Sequence, residues 1–273
     1  MDDALTEKNR CSGRTILAVF AHPDDESLAC GGTLARLADA GARVVLLCAT
    51  RGESGSVSDA SLVTPRDLGC IRSDELREAA RTLGISDVDV LIGNHPDGDL
   101  RWAHVSQLHD EIVAAIASYR PDGVITFAED GLYWHLDHIG IHERTYTAVR
   151  SLGADAPPLY YVTIPKGLMR EVVEAAVAAG ASIKDSKFWG IEPDVFGEAA
   201  KPPTFAIDVR AWVPRKLAAL SCHRTQVGPD HPFACLDEAQ ARKLLGLEHY
   251  RRAPTESRWE SIIEQMGEPV PSV

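Results

Sequence analysis

Several absences narrow this 273-residue chain before any residue is singled out. No apolar run approaches the ~18 residues of a membrane-spanning helix. The opening Met1-Asp2-Asp3-Ala4-Leu5-Thr6-Glu7 has neither the basic nor the apolar segment of a secretion signal. No membrane partner is expected. Six cysteines, at 11, 30, 48, 70, 222 and 235, include no C-x-x-C pair; several fall inside apolar runs, where a thiol behaves as a small hydrophobe. With no leader, that usage predicts a reduced, cytoplasmic protein. Positive charge is in deficit: 28 Lys and Arg against 40 Asp and Glu give a formal net charge of -12. Such a surface repels phosphate backbones, so nucleic acid is not an expected partner. No internal repeat or low-complexity tract is present, and no G-x-G-x-x-G follows the first strand pattern, which argues against a dinucleotide-binding module.

What is present has an ordinary globular balance, 45% hydrophobic and 25% charged. Apolar, branched runs at 15–21, 43–49, 88–93 and 123–128 read as strands. Helical patterns lie between them at 27–40, from Thr64-Pro65-Arg66-Asp67 to Gly84, and at about 105–119. The order β-α-β-α-β-α-β predicts an α/β fold, a three-layer α/β/α Rossmann-like arrangement with a mostly parallel sheet and a C-terminal extension. The extension carries strand patterns at 159–163 and 204–209, helices at 168–179 and 214–222, and a long loop at 188–203 that could lie over a substrate. We expect a single catalytic domain over 1–273, its core at about 14–263, with flexible tails at 1–13 and 267–273.

Each of the first four strand patterns stops at a polar loop: 22–26, 50–55, 94–99 and 129–138. Loops at the carboxyl ends of parallel strands share one rim, so the four segments are expected to meet in one cleft. In the first, Ala21-His22-Pro23-Asp24-Asp25-Glu26, a helix starting just after the strand would bring His22 and Asp25 to one side with Asp24 beside them. Tyr133-Trp134-His135-Leu136-Asp137-His138 supplies the next histidines. His22, Asp25 and His138 then form a two-histidine, one-carboxylate face that leaves positions open for water and substrate. Zn2+ is the default metal, and Fe2+ suits the same face. His135 is left to face the substrate, and Asp137 can fix the orientation of a histidine. His142, four residues after His138, reads most simply as an ordinary helix histidine. A signalling receiver would also pair aspartates after its first strand. It needs a further aspartate at the end of the third, where Val90-Leu91-Ile92-Gly93-Asn94 has none.

The segments His22-Pro23-Asp24-Asp25-Glu26, Thr50-Arg51-Gly52-Glu53, Arg72-Ser73-Asp74-Glu75-Leu76, Pro96-Asp97-Gly98-Asp99-Leu100 and His135-Leu136-Asp137-His138 occur in an order and spacing that resemble the PIG-L/LmbE-like N-deacetylases. The likeness covers most of residues 15–145 and the remainder loosely. It implies zinc-dependent hydrolysis of an N-acyl amide, most often N-acetyl, on a small glucosamine-containing molecule, mycothiol and bacillithiol precursors among them. It also implies His22, Asp25 and His138 as metal ligands and Asp24 as general base. On the same footing His135 and Tyr133 would stabilise the oxyanion, Asp24 or His135 would protonate the amine, and Arg72 and Asp97 would contact substrate. The second motif departs from the family pattern, with Trp134 and Leu136 where Gly and Pro are common; Trp134 becomes a candidate substrate contact. Alternatives are an amidase acting on a thiol conjugate or an acylated antibiotic, and a non-catalytic sugar- or metal-binding member of the fold. The expected partner is a small N-acyl glucosaminide or related amide, with room left for a homo-oligomer.

Overall fold

A computed structural model describes residues 9–63, 68–102, 105–181 and 188–270. Strands β1 (Thr15–Phe20), β2 (Arg43–Cys48), β3 (Val90–Ile92) and β4 (Gly123–Phe127) lie close to where the apolar runs put them. They pair in parallel, as does β5 (Leu159–Thr163) on β4. Their runs are apolar without alternation because helices cover both faces of a parallel sheet. Helices α1 (Asp25–Asp39), α2 (Leu68–Leu83), α3 (Val105–Tyr119) and α4 (Leu136–Ser151) make the connections. The capping pattern at 64–67 lies outside the described residues.

The sheet order is β3-β2-β1-β4-β5-β7-β6-β8. The chain starts at β1, winds outward to β3, then crosses back to β4. The crevice between β1 and β4 is therefore the topological switch point, where ligands bind in open α/β sheets. Beyond β5 the pattern changes. After α5 (Leu168–Ala178) come β6 (Phe205–Asp208), α6 (Val213–Cys222), α7 (Glu238–Leu245) and β7 (Leu247–Arg252). The short α8 (Ile262–Met266) and β8 (Glu268–Pro269) complete the chain's elements. Strand β7 inserts antiparallel between β5 and β6, and β8 pairs antiparallel with β6. The parallel core is thus closed by an antiparallel flank. This corrects the expected tails: Glu268 pairs with Ala206, Pro269 with Phe205, and Cys11 is buried with its N–H bonded to Ala40 O at 2.8 Å. Among the described residues no helix is long and apolar enough to cross a membrane.

One contact between the parallel core and the flank anchors the helix that begins at Asp25. Helix α1 is broken at Cys30 (φ -148°, ψ 24°), which exposes the N–H groups of a second helical start. Glu248 of β7 fills that role from 216 residues away: Oε1 accepts from Gly32 N at 2.9 Å and Oε2 from Thr33 N at 2.7 Å. Lys216 Nζ donates to Oε1 at 2.6 Å, and Tyr250 OH to Oε2 at 3.4 Å. Gly32 lets the break pack closely, since a Cβ there would lie 2.6 Å from Val209 Cγ2.

Candidate metal centre and its cleft

His22 and Asp25 follow β1, and His138 sits in the first turn of α4, after β4. His138 Nδ1 faces Gly131 O at 3.1 Å, so the ring proton belongs there and Nε2 keeps its lone pair. His22 Nε2 is 3.1 Å from Asp137 Oδ2 and 3.0 Å from Asp97 Oδ1, which puts the His22 proton on Nε2 and leaves Nδ1 bare. The two bare nitrogens are 3.3 Å apart. Asp25 completes the set, with Oδ2 3.5 Å from His22 Nδ1 and Oδ1 3.2 Å from His138 Nε2. With His22 neutral, three buried acceptors thus converge with no donor between them among the described residues. Ligands about 2.0–2.1 Å from a tetrahedral zinc are themselves about 3.3–3.4 Å apart, so the donor set fits such a cation.

The surroundings hold this polarity. Asp137 also accepts from Gly98 N at 2.7 Å and Leu100 N at 3.0 Å, so its carboxylate is fixed on three sides. This is the outer support that a ligating histidine needs. Burial opposes charge on His22, yet Asp137, Asp25 and Asp97 outweigh it and raise its pKa well above the ordinary imidazole range. Burial likewise opposes the Asp25 carboxylate, and the two histidines overcome it and hold its pKa well down. A proton drawn into this set stands where a metal cation would.

His135 packs against both rings, with centroids 4.8 Å from His22 and 4.6 Å from His138, and offers a nitrogen within 4.8 Å of theirs. Its Nδ1, however, accepts from Asp137 N at 3.2 Å and caps α4, so its proton lies on Nε2. Burial, aided by the neighbouring histidines, lowers its pKa to about 4. His135 is a neutral donor. Tyr133 stands beside it, its phenol held protonated by burial. His142 is away from the cluster, its Nδ1 3.0 Å from Phe127 O.

Asp24 adjoins this cluster without joining it. Its backbone is left-handed (φ 113°), and its N–H is held by Glu26 Oε2 at 3.1 Å. Its Oδ2 accepts from Arg72 Nη2 at 3.1 Å. Burial raises the Asp24 pKa to about 6 against the pull of Arg72. Arg72 also donates to Gly52 O at 2.8 Å and Pro23 O at 2.6 Å. A Cβ at Gly52 or Gly55 would collide with this guanidinium, which explains the glycines in that loop.

The cleft encloses about 290 Å³ and takes lining residues from all four strand-end loops, among them Asp24, Ser54, Asp97 and His135. Two expected substrate contacts are otherwise engaged. Arg72 Nη1 and Nη2 donate to backbone carbonyls and Asp24 while its Nε is buried without a partner among the described residues, and Asp97 is held by His22 and by Ser54 N at 2.8 Å, although both edge the cleft. Trp134 does not line it. A left-handed turn at φ 65° lies between Tyr133 and His135 and leaves Trp134 52% exposed. The C-terminal flank contributes as well. His223, fully buried, holds Glu26 Oε1 at 2.9 Å; Glu75 pins Thr225 through N at 3.0 Å and Oγ1 at 2.6 Å. Trp189, Ile191 and Gln226 line the cleft. The polar cluster Cys222-His223-Arg224-Thr225-Gln226 at a helix end was the available signal.

A family model described as PIG-L, GlcNAc-PI de-N-acetylase, matches residues 17–149. A 1D-myo-inositol 2-acetamido-2-deoxy-alpha-D-glucopyranoside deacetylase of Acidothermus cellulolyticus is 34% identical over 257 residues, covering 87% of this chain and 88% of that protein. Among solved structures, the N,N'-diacetylchitobiose deacetylase of Pyrococcus horikoshii aligns at TM-score 0.58 and 22% identity, over 88% of this chain and 84% of that one. A 4-carboxy-2-hydroxymuconate hydratase of Pseudomonas putida aligns at 0.61 and 19% identity, over 88% and 96%. Likeness at that level is one of fold, and two chemistries share it.

Proposed function

The chain belongs to the PIG-L de-N-acetylase family, and from that premise we propose that it hydrolyses the N-acetyl amide of a small glucosamine-containing molecule at a zinc ion held by His22, Asp25 and His138. One observation carries the reading: three buried acceptors face one another without a donor, and a carboxylate of suitable basicity stands just outside them. The relatives' named substrate makes glucosaminyl-inositol compounds the first class to test.

Amide hydrolysis needs an activated water, a stabilised oxyanion and a protonated amine. A zinc ion, when bound, lowers the pKa of water toward about 7 and polarises a carbonyl; Fe(II) suits the same donors. Asp24, with a pKa of about 6, takes the proton of the attacking water and later returns it to the leaving amine. His135 is neutral and carries its proton on Nε2, so it donates a hydrogen bond to the carbonyl oxygen as charge gathers there, with the Tyr133 phenol beside it. Arg72 and Glu26 hold Asp24 at the required place. His223 holds Glu26.

The test is acetate release from N-acetylglucosaminyl-inositol by the zinc-loaded protein and by Asp24→Asn, with metal content measured on both. Turnover that vanishes in a fully loaded Asp24→Asn protein is the expected result. A loaded wild-type protein that releases no acetate from any N-acetylglucosaminide overturns the proposal.

A further inference from the structure

The cleft lining is lopsided. His22, Asp24, Arg72 and Asp97 supply charge; beside Leu28 and Tyr133, Trp189 and Ile191 supply apolar surface from the C-terminal flank. Trp189 is at the tip of a tight turn closed by Phe188 N to Ile191 O at 3.0 Å and Ile191 N to Phe188 O at 2.6 Å. Trp189 (φ 48°) and Gly190 (φ 82°) occupy the two left-handed positions such a turn requires. Asn, Asp and Gly favour those positions; a bulky aromatic side chain incurs a steric penalty there. The indole is only partly buried: it packs against the edge of the core and keeps surface in the cleft. The ring is nevertheless pinned from two sides. Its N–H donates to Gln226 O at 3.0 Å, and its centroid lies 4.7 Å from that of His231. A strained backbone that holds a fixed aromatic surface against a cleft is a device for recognition.

Resting on the deacetylase reading for the nature of the ligand, we infer that Trp189, backed by Ile191, is the platform for the C–H face of the substrate's pyranose ring. It is a specificity-determining residue that favours the closed ring over an open chain bearing the same hydroxyls and acetamide. A flat apolar surface in a cleft that also carries hydrogen-bonding groups matches a pyranose, which carries hydroxyls at its rim and C–H bonds on its faces.

The experiment compares wild type, Trp189→Ala and Trp189→Phe on two substrates, methyl N-acetyl-α-glucosaminide and the ring-opened N-acetylglucosaminitol. Binding of methyl α-glucosaminide and of glucosaminitol to the same zinc-loaded proteins is measured by calorimetry. Trp189→Ala should raise KM and Kd for the ring compounds about tenfold, with kcat and the open-chain constants little changed. Trp189→Phe keeps a flat ring in the turn and should recover most of the loss. Equal weakening toward ring and open-chain ligands would mark Trp189 as merely structural and overturn the inference, as would unchanged constants in Trp189→Ala. If no acetate is released but Trp189→Ala selectively loses the ring ligand, the platform stands and the deacetylase reading falls.

Discussion

Helix α1 carries a buried charged cluster at each of its two starts, and the pair differ in one respect. At the Cys30 break, Glu248 meets four donors, Gly32 N, Thr33 N, Lys216 Nζ and Tyr250 OH, and its oxygens are satisfied. At the first turn, His22 Nδ1, His138 Nε2 and Asp25 turn acceptors toward one another. Burial is similar, with every one of these side chains under a tenth exposed. Closure of the donor–acceptor count therefore separates a structural cluster from one arranged to receive a ligand.

That contrast is open to attack at several points. Emptying the first cluster has the largest expected effect: His138→Ala or exhaustive chelation should abolish acetate release and bound metal together, with zinc restoring only the chelated wild type. Asp24→Asn comes next, with turnover down about 10²–10⁴-fold and metal retained; in wild type the acid limb of kcat/KM should fall no higher than about pH 6, because activity needs the Asp24 carboxylate ionised. In the second cluster, Glu248→Ala strands Lys216 and should cost about 3–5 kcal/mol in denaturant unfolding. It should leave metal stoichiometry unchanged at temperatures where the chain stays folded. Metal lost in step with stability would break the distinction.

His231 sharpens it from another side. Its Nε2 is buried without a partner among the described residues, and burial lowers its pKa from 6.5 to about 3. Protons therefore favour the unfolded chain. This contribution to stability is complete above about pH 6.5 and declines, by up to about 1.4 kcal/mol per pH unit, as the pH falls toward 3. His231→Phe should flatten unfolding free energy over that window, and an unaltered pH slope would refute the assignment. Trp134→Ala should do least. As an exposed side chain outside the cleft it is expected to shift stability by under about 0.5 kcal/mol and kcat/KM by under about threefold, since no cleft contact is removed.

The meeting of His22, Asp25 and His138 was legible in the sequence because strand ends mark the rim of a parallel sheet and these residues lie at two such ends. The parallel half was legible too, its runs being mostly apolar and branched. The flank was not. Glu248 and Lys216 belong to no motif, and nothing local to β7 announces that its glutamate caps a helix 216 residues earlier in the chain. Arg72 and Asp97 were identified as site residues, but their partners were not, because carbonyls such as Pro23 O and Gly52 O carry no sequence signature. Trp189 fell within the loop at 188–203 expected over a substrate, but its left-handed backbone, which disfavours tryptophan, carries no sequence signal.

His22 and His138 are separated by 116 positions, and the sheet alone brings them together. A cation bound there ties the first strand to the fourth and has no comparable site in the unfolded chain. Its binding energy is then folding energy, growing as RT ln(1 + [M]/Kd) and reaching about 4 kcal/mol when free metal exceeds Kd a thousandfold. The melting temperature becomes a gauge of metal supply, and a metal-starved cell would lose this protein to proteolysis as well as to inactivity.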